Sequence, residues 1–225
     1  MLRKQSGHRK ENRKVIITVE GQCEELYFRH LQNLVNNSSC GRNLILEIYV
    51  RKPLDQAKRS SNVMLDQPLY HVQDIEDASG GEERVRIRKV VDDLVEAGKK
   101  LGIEYRWAYS NISFELWLLL HVKDLTRHMN SARDYFPEMR LAFNRDWANI
   151  GQFKKEENFK SILSQYVTLE SVTQAVRRAE AIRTRNQENA ETFLAYRNHK
   201  CCLANPATDV DLLVVHLFRL AGLAL

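Results

Sequence analysis

The sequence of 225 residues has little glycine or proline, few cysteines and no long apolar run. Nine glycines and four prolines are too few for long disordered linkers, so we expect a compact chain. The four cysteines form no C-x-x-C pair and no histidine lies at zinc-finger spacing, which argues against structural zinc and favours reduced thiols. The longest apolar stretch, residues 212–225, includes a histidine and an arginine and is too short and too polar to span a membrane, so we expect no membrane partner. A Walker-type glycine-rich loop with its lysine is also missing, so we expect no ATP site in the chain.

Positive charge is concentrated at the start of the sequence. The formal net charge is +5, and residues 1–14 carry six basic side chains against one acidic, so the rest of the chain is balanced. A basic arm can add sequence-independent affinity for the phosphates of nucleic acid, or it can be a disordered segment that only aids solubility. No apolar segment follows it, so the sequence predicts no secretory signal and a cytoplasmic protein.

Predicted strands alternate with predicted helices as far as residue 122. The elements are strand 15–20, helix 22–36, strand 44–50, a crossover at 51–68, strand 69–74, helix 82–100, strand 104–109 and helix 113–121. From residue 123 the pattern is helical, with predicted helices at 128–141, 156–166, 169–198 and 208–221. Alternation of strands and helices predicts an α/β fold with a mostly parallel sheet flanked by helices. We therefore expect a basic disordered tail at 1–14, an α/β domain at 15–122 and a helical extension at 123–225 that packs on it.

Carboxylates follow two of the predicted strands. Glu20 closes the first strand just before Gly21, at the edge where open α/β sheets place their ligands. Asp74 and Glu76 end a later strand on the same face, and Asp77 follows them. Clustered carboxylates at two strand ends suit Mg²⁺, which prefers hard oxygen ligands. The alternatives are a solvated acid at Glu20 and an acidic helix start at 74–77, which fits Asp77 better than Asp74.

Four short segments together resemble one protein family. They are Val-Glu-Gly at 19–21, Glu-Glu-Leu-Tyr-Phe at 24–28, Ser-Asn-Ile-Ser-Phe-Glu-Leu-Trp at 110–117 and Asn-Pro-Ala-Thr-Asp-Val-Asp-Leu-Leu-Val at 205–214. These look like the RloB-like family, which is grouped with bacterial abortive-infection phage-resistance proteins and carries a Toprim-type domain. The resemblance covers roughly residues 15–120 and 195–217, and the Ser-Asn-x-x-Phe-Glu-Leu-Trp run is its most specific part.

The resemblance implies a Toprim-like metal site that holds Mg²⁺ or Mn²⁺. In such sites a glutamate follows the first strand, and Glu20 matches it. An Asp-x-Asp pair follows a later strand; Asp74 matches its first aspartate, whereas Glu76 stands in place of the second and Asp77 comes one residue later. His71 and Gln73 also make this strand more polar than the apolar strand usual in the family.

Three further polar residues near the predicted strand ends are candidates for substrate or metal contacts. Glu24 lies in the first turn of the helix after Glu20, near the metal or at the surface. Asn111 can contact a metal-bound water or a phosphate, or form an Asx turn. Glu115 matches the family run and lies in a helix first turn that Ser113 is expected to cap. We interpret His121 as a satisfied histidine at a helix end rather than an acid–base catalyst.

Two hypotheses of function follow. The first is a metal-dependent nuclease that hydrolyses RNA, tRNA or DNA in anti-phage defence, with Glu20, Asp74 and Glu24 as catalytic residues. The second is a non-catalytic Toprim-like binding or effector subunit whose altered acidic pair no longer cuts. The resemblance implies an ABC-type ATPase as a partner, and copies of the chain can also associate. The polar strand at 69–74 favours the second hypothesis, and the intact Glu-Gly turn at 20–21 favours the first.

Overall fold

The computed structural model describes residues 11–39, 41–59, 67–75, 82–188 and 193–225. The elements of the α/β half are β1 (Glu11–Val19), α1 (Gln22–Asn36), β2 (Arg42–Val50), α2 (Pro53–Arg59), β3 (Leu69–Asp74), α3 (Glu82–Leu101), β4 (Tyr105–Asn111) and α4 (Glu115–Leu120). After a short 3₁₀ turn at Ala132–Asp134 come α5 (Tyr135–Ala142), α6 (Ile150–Phe153), α7 (Glu156–Tyr166), α8 (Leu169–Gln187), β5 (Phe193–Tyr196), β6 (His199–Cys202), β7 (Ala207–Thr208) and α9 (Val210–Ala221). No helix in these ranges is long and apolar enough to cross a membrane.

The main sheet has five strands in the order β2-β1-β3-β4-β7. The first four pair in parallel, and β7 pairs with β4 in the antiparallel sense. The prediction of a mostly parallel α/β sheet with a helical C-terminal extension is confirmed. The chain passes from β1 to β2 on one side and then returns to place β3 on the other side of β1, so the strand order reverses between β1 and β3.

The sheet is the middle of three layers, because successive side chains of each strand point to opposite faces. Val15 and Ile17 of β1 belong to a large buried cluster with α1, α4, α8 and α9. Ile16 faces the other way and packs with Ala57 of α2 and Leu94 of α3. Each such side chain, when fully buried, contributes about 1.5–3 kcal/mol, so both layers are held by apolar burial.

A buried polar network on the α2–α3 face accounts for the histidine of β3. The Thr18 hydroxyl lies 3.0 Å from His71 Nδ1 and 2.8 Å from the Tyr105 hydroxyl, and it donates to the Tyr70 carbonyl at 3.2 Å. Burial lowers the pKa of His71 to about 4, so the ring is neutral at ordinary pH. Packing within the protein therefore accounts for the histidine of this strand.

Side chains of α1 cover the open edge of β2. The backbone N–H of Leu46 donates to Gln32 Oε1 at 2.6 Å, and that of Leu44 donates to Asn36 Oδ1 at 2.8 Å. The Asn36 amide returns a bond to the Leu44 carbonyl at 2.9 Å. Backbone groups that an edge strand usually leaves open are thereby paired within the molecule.

Packing fastens the helical extension to the sheet, and an ion pair joins two of its helices. Helix α9 contacts β2 and β4, and α8 contacts α4 and α9. Arg183 of α8 pairs with Asp209, at 3.4 Å, and with Asp211, whose side chain is almost fully buried. Removing one partner of a buried ion pair leaves an uncompensated charge, so this contact holds α8 against the start of α9.

Several predicted boundaries were wrong, and the helix predicted over 128–141 begins only at Tyr135. Strand β1 begins at Glu11, so residues 11–14, which we had placed in the tail, pair with residues 42–45 of β2. The helix predicted over 169–198 ends at Gln187, and the residues from 193 to 202 form the β5–β6 hairpin. Ser113 caps no helix, since α4 begins after Phe114 without a side-chain cap.

Candidate functional site

The carboxyl ends of β1 and β3 meet where the strand order reverses. Helix α1 leaves β1 on one face of the sheet, and α3 lies on the other face. In open α/β sheets a crevice forms at such a switch point, outside the carboxyl ends of the strands. The two strands that we expected to carry the ligands are therefore neighbours at the position where this fold binds them.

Glu20 and Asp74 meet in this crevice. The backbone N–H of Asp74 donates to Glu20 Oε2 at 3.1 Å, although the residues are far apart in the sequence. Glu20 is exposed, whereas Asp74 is half-buried. Glu76 and Asp77, the other predicted metal ligands, lie outside the described residues.

Glu24 lies near Glu20 because helix α1 begins directly after Gly21. Helix α1 starts at Gln22 and places Glu24 in its first turn, where acids favour the helix dipole. A Cβ atom at Gly21 would lie 3.0 Å from Glu24 Oε2, closer than side chains usually approach. The absence of a side chain at Gly21 thus allows the Glu24 carboxylate its position.

Glu115 enters the site from the first turn of α4. Its side chain is buried and forms a 3.3 Å ion pair with Lys154 Nζ, which follows the end of α6. Glu115 is the main cause that raises the pKa of Lys154. The helical extension therefore contributes a cation to the candidate site.

The carboxylates strongly influence one another's protonation. Burial raises the pKa of Asp74 well above its usual range, and Glu115, Glu24 and Glu20 raise it further. Burial also raises the pKa of Glu24, with added repulsion from Glu115 and Glu20, while Lys154 acts in the opposite direction on both. Like charges in a site of low polarity disfavour ionisation, so a cation bound here would compete with protons for the carboxylates.

The carboxylates of the candidate site are chemically suited to binding a hard divalent cation. Four carboxylates face one lysine, which leaves an excess of three negative charges when all are ionised. Carboxylate oxygens are the ligands that Mg²⁺ and Mn²⁺ prefer. Within the ranges that the structure describes, however, no three His, Cys, Asp or Glu side chains converge closely enough to hold a metal ion.

The model of one protein family matches nearly all of this architecture. The RloB-like protein family matches residues 15–217. The chain belongs to the RloB-like family. No curated protein and no solved structure matches the chain. The family match also includes residues 121–194, where short motifs gave no resemblance, so in this RloB-like chain the sheet and the extension lie within one family match.

Sequence analysis missed two residues of the extension that adjoin the site. Lys154 has no recognisable motif around it, and its importance depends on the ion pair with Glu115. Tyr135 is fully buried at the start of α5; burial raises its pKa, and the negative charges of Glu115 and Asp74 contribute to the same shift. Neither position carries a sequence signal, because both are brought in by helix packing.

Two other predicted candidates make contacts within the protein. The Asn111 amide donates to the carbonyls of Leu203 and Ala204 at 3.0 and 3.1 Å, which fastens the segment that precedes β7. Its contact with substrate or with a metal-bound water remains a prediction. His121 is buried, with Nε2 at 3.2 Å from the Tyr27 hydroxyl and Nδ1 at 2.9 Å from the Trp117 carbonyl, as our interpretation of a satisfied histidine required.

A second cavity adjoins Glu20 on the side of α2 and α3. It has a volume of about 350 Å³, and four basic side chains line it: Arg51, Lys52, Arg86 and Lys89. A smaller cavity of about 90 Å³ lies next to the larger one and is lined in part by Glu20, Asp74 and Arg86. Glu20 thus stands between an acidic cluster and a basic cavity.

Proposed function

We propose that this chain is a metal-dependent nuclease of Toprim-like type that hydrolyses phosphodiester bonds in nucleic acid and acts in anti-phage abortive infection. The observation that carries the proposal is the meeting of Glu20 and Asp74 at the switch point of the sheet, within the field of Glu24 and Glu115. Membership of the RloB-like family supports it, because the family resemblance implied the same two positions.

Each residue of the site has a role in this proposal. Glu20 and Asp74, together with Glu76 and Asp77, would hold Mg²⁺ or Mn²⁺. When bound, the ion would polarise the scissile phosphate and lower the pKa of a water molecule. Glu24 would orient the attacking water, and burial raises its pKa, which makes the carboxylate a stronger base.

Lys154 and Glu115 would tune the site from the other side. Their 3.3 Å pair keeps a positive charge beside the carboxylates and limits the rise in the pKa of Asp74. The positive charge of Lys154 would also attract the phosphate of a substrate, which is negatively charged at all relevant pH values. In this proposal Lys154 therefore acts electrostatically, on the carboxylates and on the substrate phosphate.

The competing proposal is a non-catalytic subunit that binds nucleic acid or an ABC-type ATPase partner. The observation in its favour is that no three candidate ligands converge within the described ranges. Its earlier support was the polar strand at 69–74. The neutral, buried His71 now explains part of that polarity by packing, so the strand no longer favours this proposal.

Cleavage assays distinguish the two proposals. Wild-type protein, alone and with its presumed ATPase partner, should cleave RNA, tRNA or DNA when Mg²⁺ or Mn²⁺ is added, and Glu20→Ala should abolish cleavage. Asp55→Asn, at an exposed carboxylate paired with Lys58, is the matched control that should leave the rate unchanged.

The variant Glu76→Asp makes the test sharper. In an active enzyme adapted to glutamate, the shorter side chain should move the ligand and lower the rate. In a degenerate site, the same change restores the Asp-x-Asp spacing and should create or increase cleavage. No cleavage by the wild type or by this variant, with or without the partner, would leave the binding subunit as the better account.

A further inference from the structure

The basic cavity beside Glu20 is built by two separate elements of the fold. Arg51 and Lys52 follow directly after β2, at the same edge of the sheet as Glu20. Arg86 and Lys89 lie one turn apart on α3 and so project from the same side of that helix. Two elements that are distant in sequence therefore bring four cations to one cavity of about 350 Å³.

Basic residues outnumber acidic ones among the described residues that line the cavity. Glu20 and Asp93 are the acidic residues among its described lining, against the four cations. The Lys89–Asp93 pair is 3.9 Å long and the Lys89 side chain is 74% exposed, so this contact binds the ammonium weakly. The Arg51 guanidinium lies over the Tyr49 ring at 4.8 Å, which holds it in place without neutralising it.

The remainder of the lining is uncharged. His71 contributes a neutral ring, because burial lowers its pKa to about 4. The apolar part of the wall is formed by Val50, Pro53 and Val90. A cavity that combines several cations with an apolar wall suits a ligand with both a phosphate and an apolar ring, and a nucleotide is such a ligand.

The dimensions favour a single nucleotide over a duplex. Ligand cavities in proteins usually have volumes of about 300–1,000 Å³, so this one lies at the lower end. A double helix is recognised by elements that enter grooves about 12 Å wide or follow its backbone, which a half-open concave site of this volume does not do. The neighbouring acidic cluster would repel a phosphate unless a cation is bound there, so the basic cavity is the better first contact.

We propose that this cavity is a phosphate-binding subsite that takes one nucleotide unit of a single strand and so places the next phosphodiester bond at Glu20 and Asp74. The inference rests on the proposed nuclease function for the second part of this statement. The first part, binding of a nucleotide phosphate by Arg51, Lys52, Arg86 and Lys89, stands without it.

The test measures binding in the presence of EDTA, so that neither a metal ion nor cleavage is required. Fluorescence anisotropy of a labelled single-stranded oligonucleotide gives the Kd for the full chain and for Lys52→Ala/Lys89→Ala. The matched control is Lys155→Ala/Lys160→Ala, with the same loss of charge. Lys52 and Lys155 each accept the first hydrogen bond of a helix through the backbone, and Lys89 and Lys160 each form an i,i+4 pair.

We expect the cavity variant to raise the Kd about tenfold, while the control changes it by about twofold or less. Loss of two phosphate contacts should also lower the slope of log Kd against log salt by about 1.4. Equal weakening in both variants would show a non-specific charge effect and would overturn the subsite. Unchanged binding in the cavity variant, or no binding by the wild type, would overturn it as well.

A competing nucleoside monophosphate separates the two sources of the ligand. Displacement of the oligonucleotide by the monophosphate assigns the cavity to a free nucleotide or a strand end, whereas displacement only by oligonucleotides assigns it to a strand interior; both results support the subsite. Failure of the nuclease proposal would leave the EDTA binding result intact. Cleavage that is unaffected by Lys52→Ala/Lys89→Ala would instead remove the subsite and keep the nuclease.

Discussion

Replacing Asp74 by asparagine should stabilise the metal-free protein at alkaline pH. Burial and the charges of Glu115, Glu24 and Glu20 raise the pKa of Asp74 in the folded chain. The folded state therefore holds a proton over a pH range in which the unfolded state has lost it, and stability falls as pH rises through that range. Asparagine is neutral at every pH and escapes this loss.

The size of the effect follows from the shift. Each unit by which the folded pKa exceeds the unfolded one corresponds to about 1.4 kcal/mol. In a chain of this length, each kcal/mol of stability raises the Tm by roughly 2–4 °C. Each pKa unit of the shift should therefore raise the Tm of Asp74→Asn above that of the wild type by about 3–6 °C near pH 8. Near pH 3.5, below the ordinary pKa of an aspartate, the folded and unfolded states both hold the proton, so the variant and the wild type should melt at similar temperatures.

Thermal unfolding in EDTA at the two pH values measures this difference. Asp55→Asn removes an exposed carboxylate that pairs with Lys58, and should change the Tm by about 2 °C or less at either pH. Added Mn²⁺ should raise the Tm of the wild type near pH 8 by mass action and should raise that of the Asp74 variant much less. A lower Tm for Asp74→Asn near pH 8, or an equal gain at both pH values, would refute the reasoning.

Other perturbations probe the turn, the extension and the arm. Gly21→Ala should weaken Mn²⁺ binding severalfold in a calorimetric titration with little loss of stability, because the new Cβ would lie 3.0 Å from a flexible carboxylate, that of Glu24. Arg183→Ala should lower the free energy of unfolding in urea by about 3–5 kcal/mol because it strands a buried aspartate, whereas the exposed Arg177→Ala on the same helix should change it by about 0.5 kcal/mol or less. Deleting residues 1–10 should leave the Tm nearly unchanged and reduce the salt dependence of nucleic-acid binding, whereas a deletion that continues through the first four residues of β1 should lower the Tm by several degrees.

Sequence reasoning worked best where local pattern and topology agree. The bounds of α1, β3 and α7 agree with the prediction to the residue. At these ends the local sequence pattern changes clearly. The contact of Glu20 with Asp74 followed from a general rule on where parallel strands end together. That rule needs the positions of the strands and no knowledge of side-chain packing.

The same reasoning failed where the signal was absent or distant. The prediction extended the helix to residue 198 and so missed the turn at Arg197. That residue adopts a positive φ of 52°, which arginine rarely takes. A hairpin with Asn-Gly at that place would have been recognised. Lys154 and the four cations of the cavity look in sequence like ordinary surface charges, and they become a site only when several elements pack around them.

The covering of β2 by Gln32 and Asn36 limits how copies of this chain can join. An uncovered edge strand invites a second sheet to continue the first, which is a common route to fibres and swapped dimers. Here the two amides of α1 already occupy backbone groups of Leu44 and Leu46 on that side. Strand β7, only two residues long, ends the sheet on the opposite side. Association of copies through the edges of the main sheet is therefore disfavoured, and crowding this protein to high concentration should favour discrete oligomers over assemblies in which this sheet continues from one copy to the next.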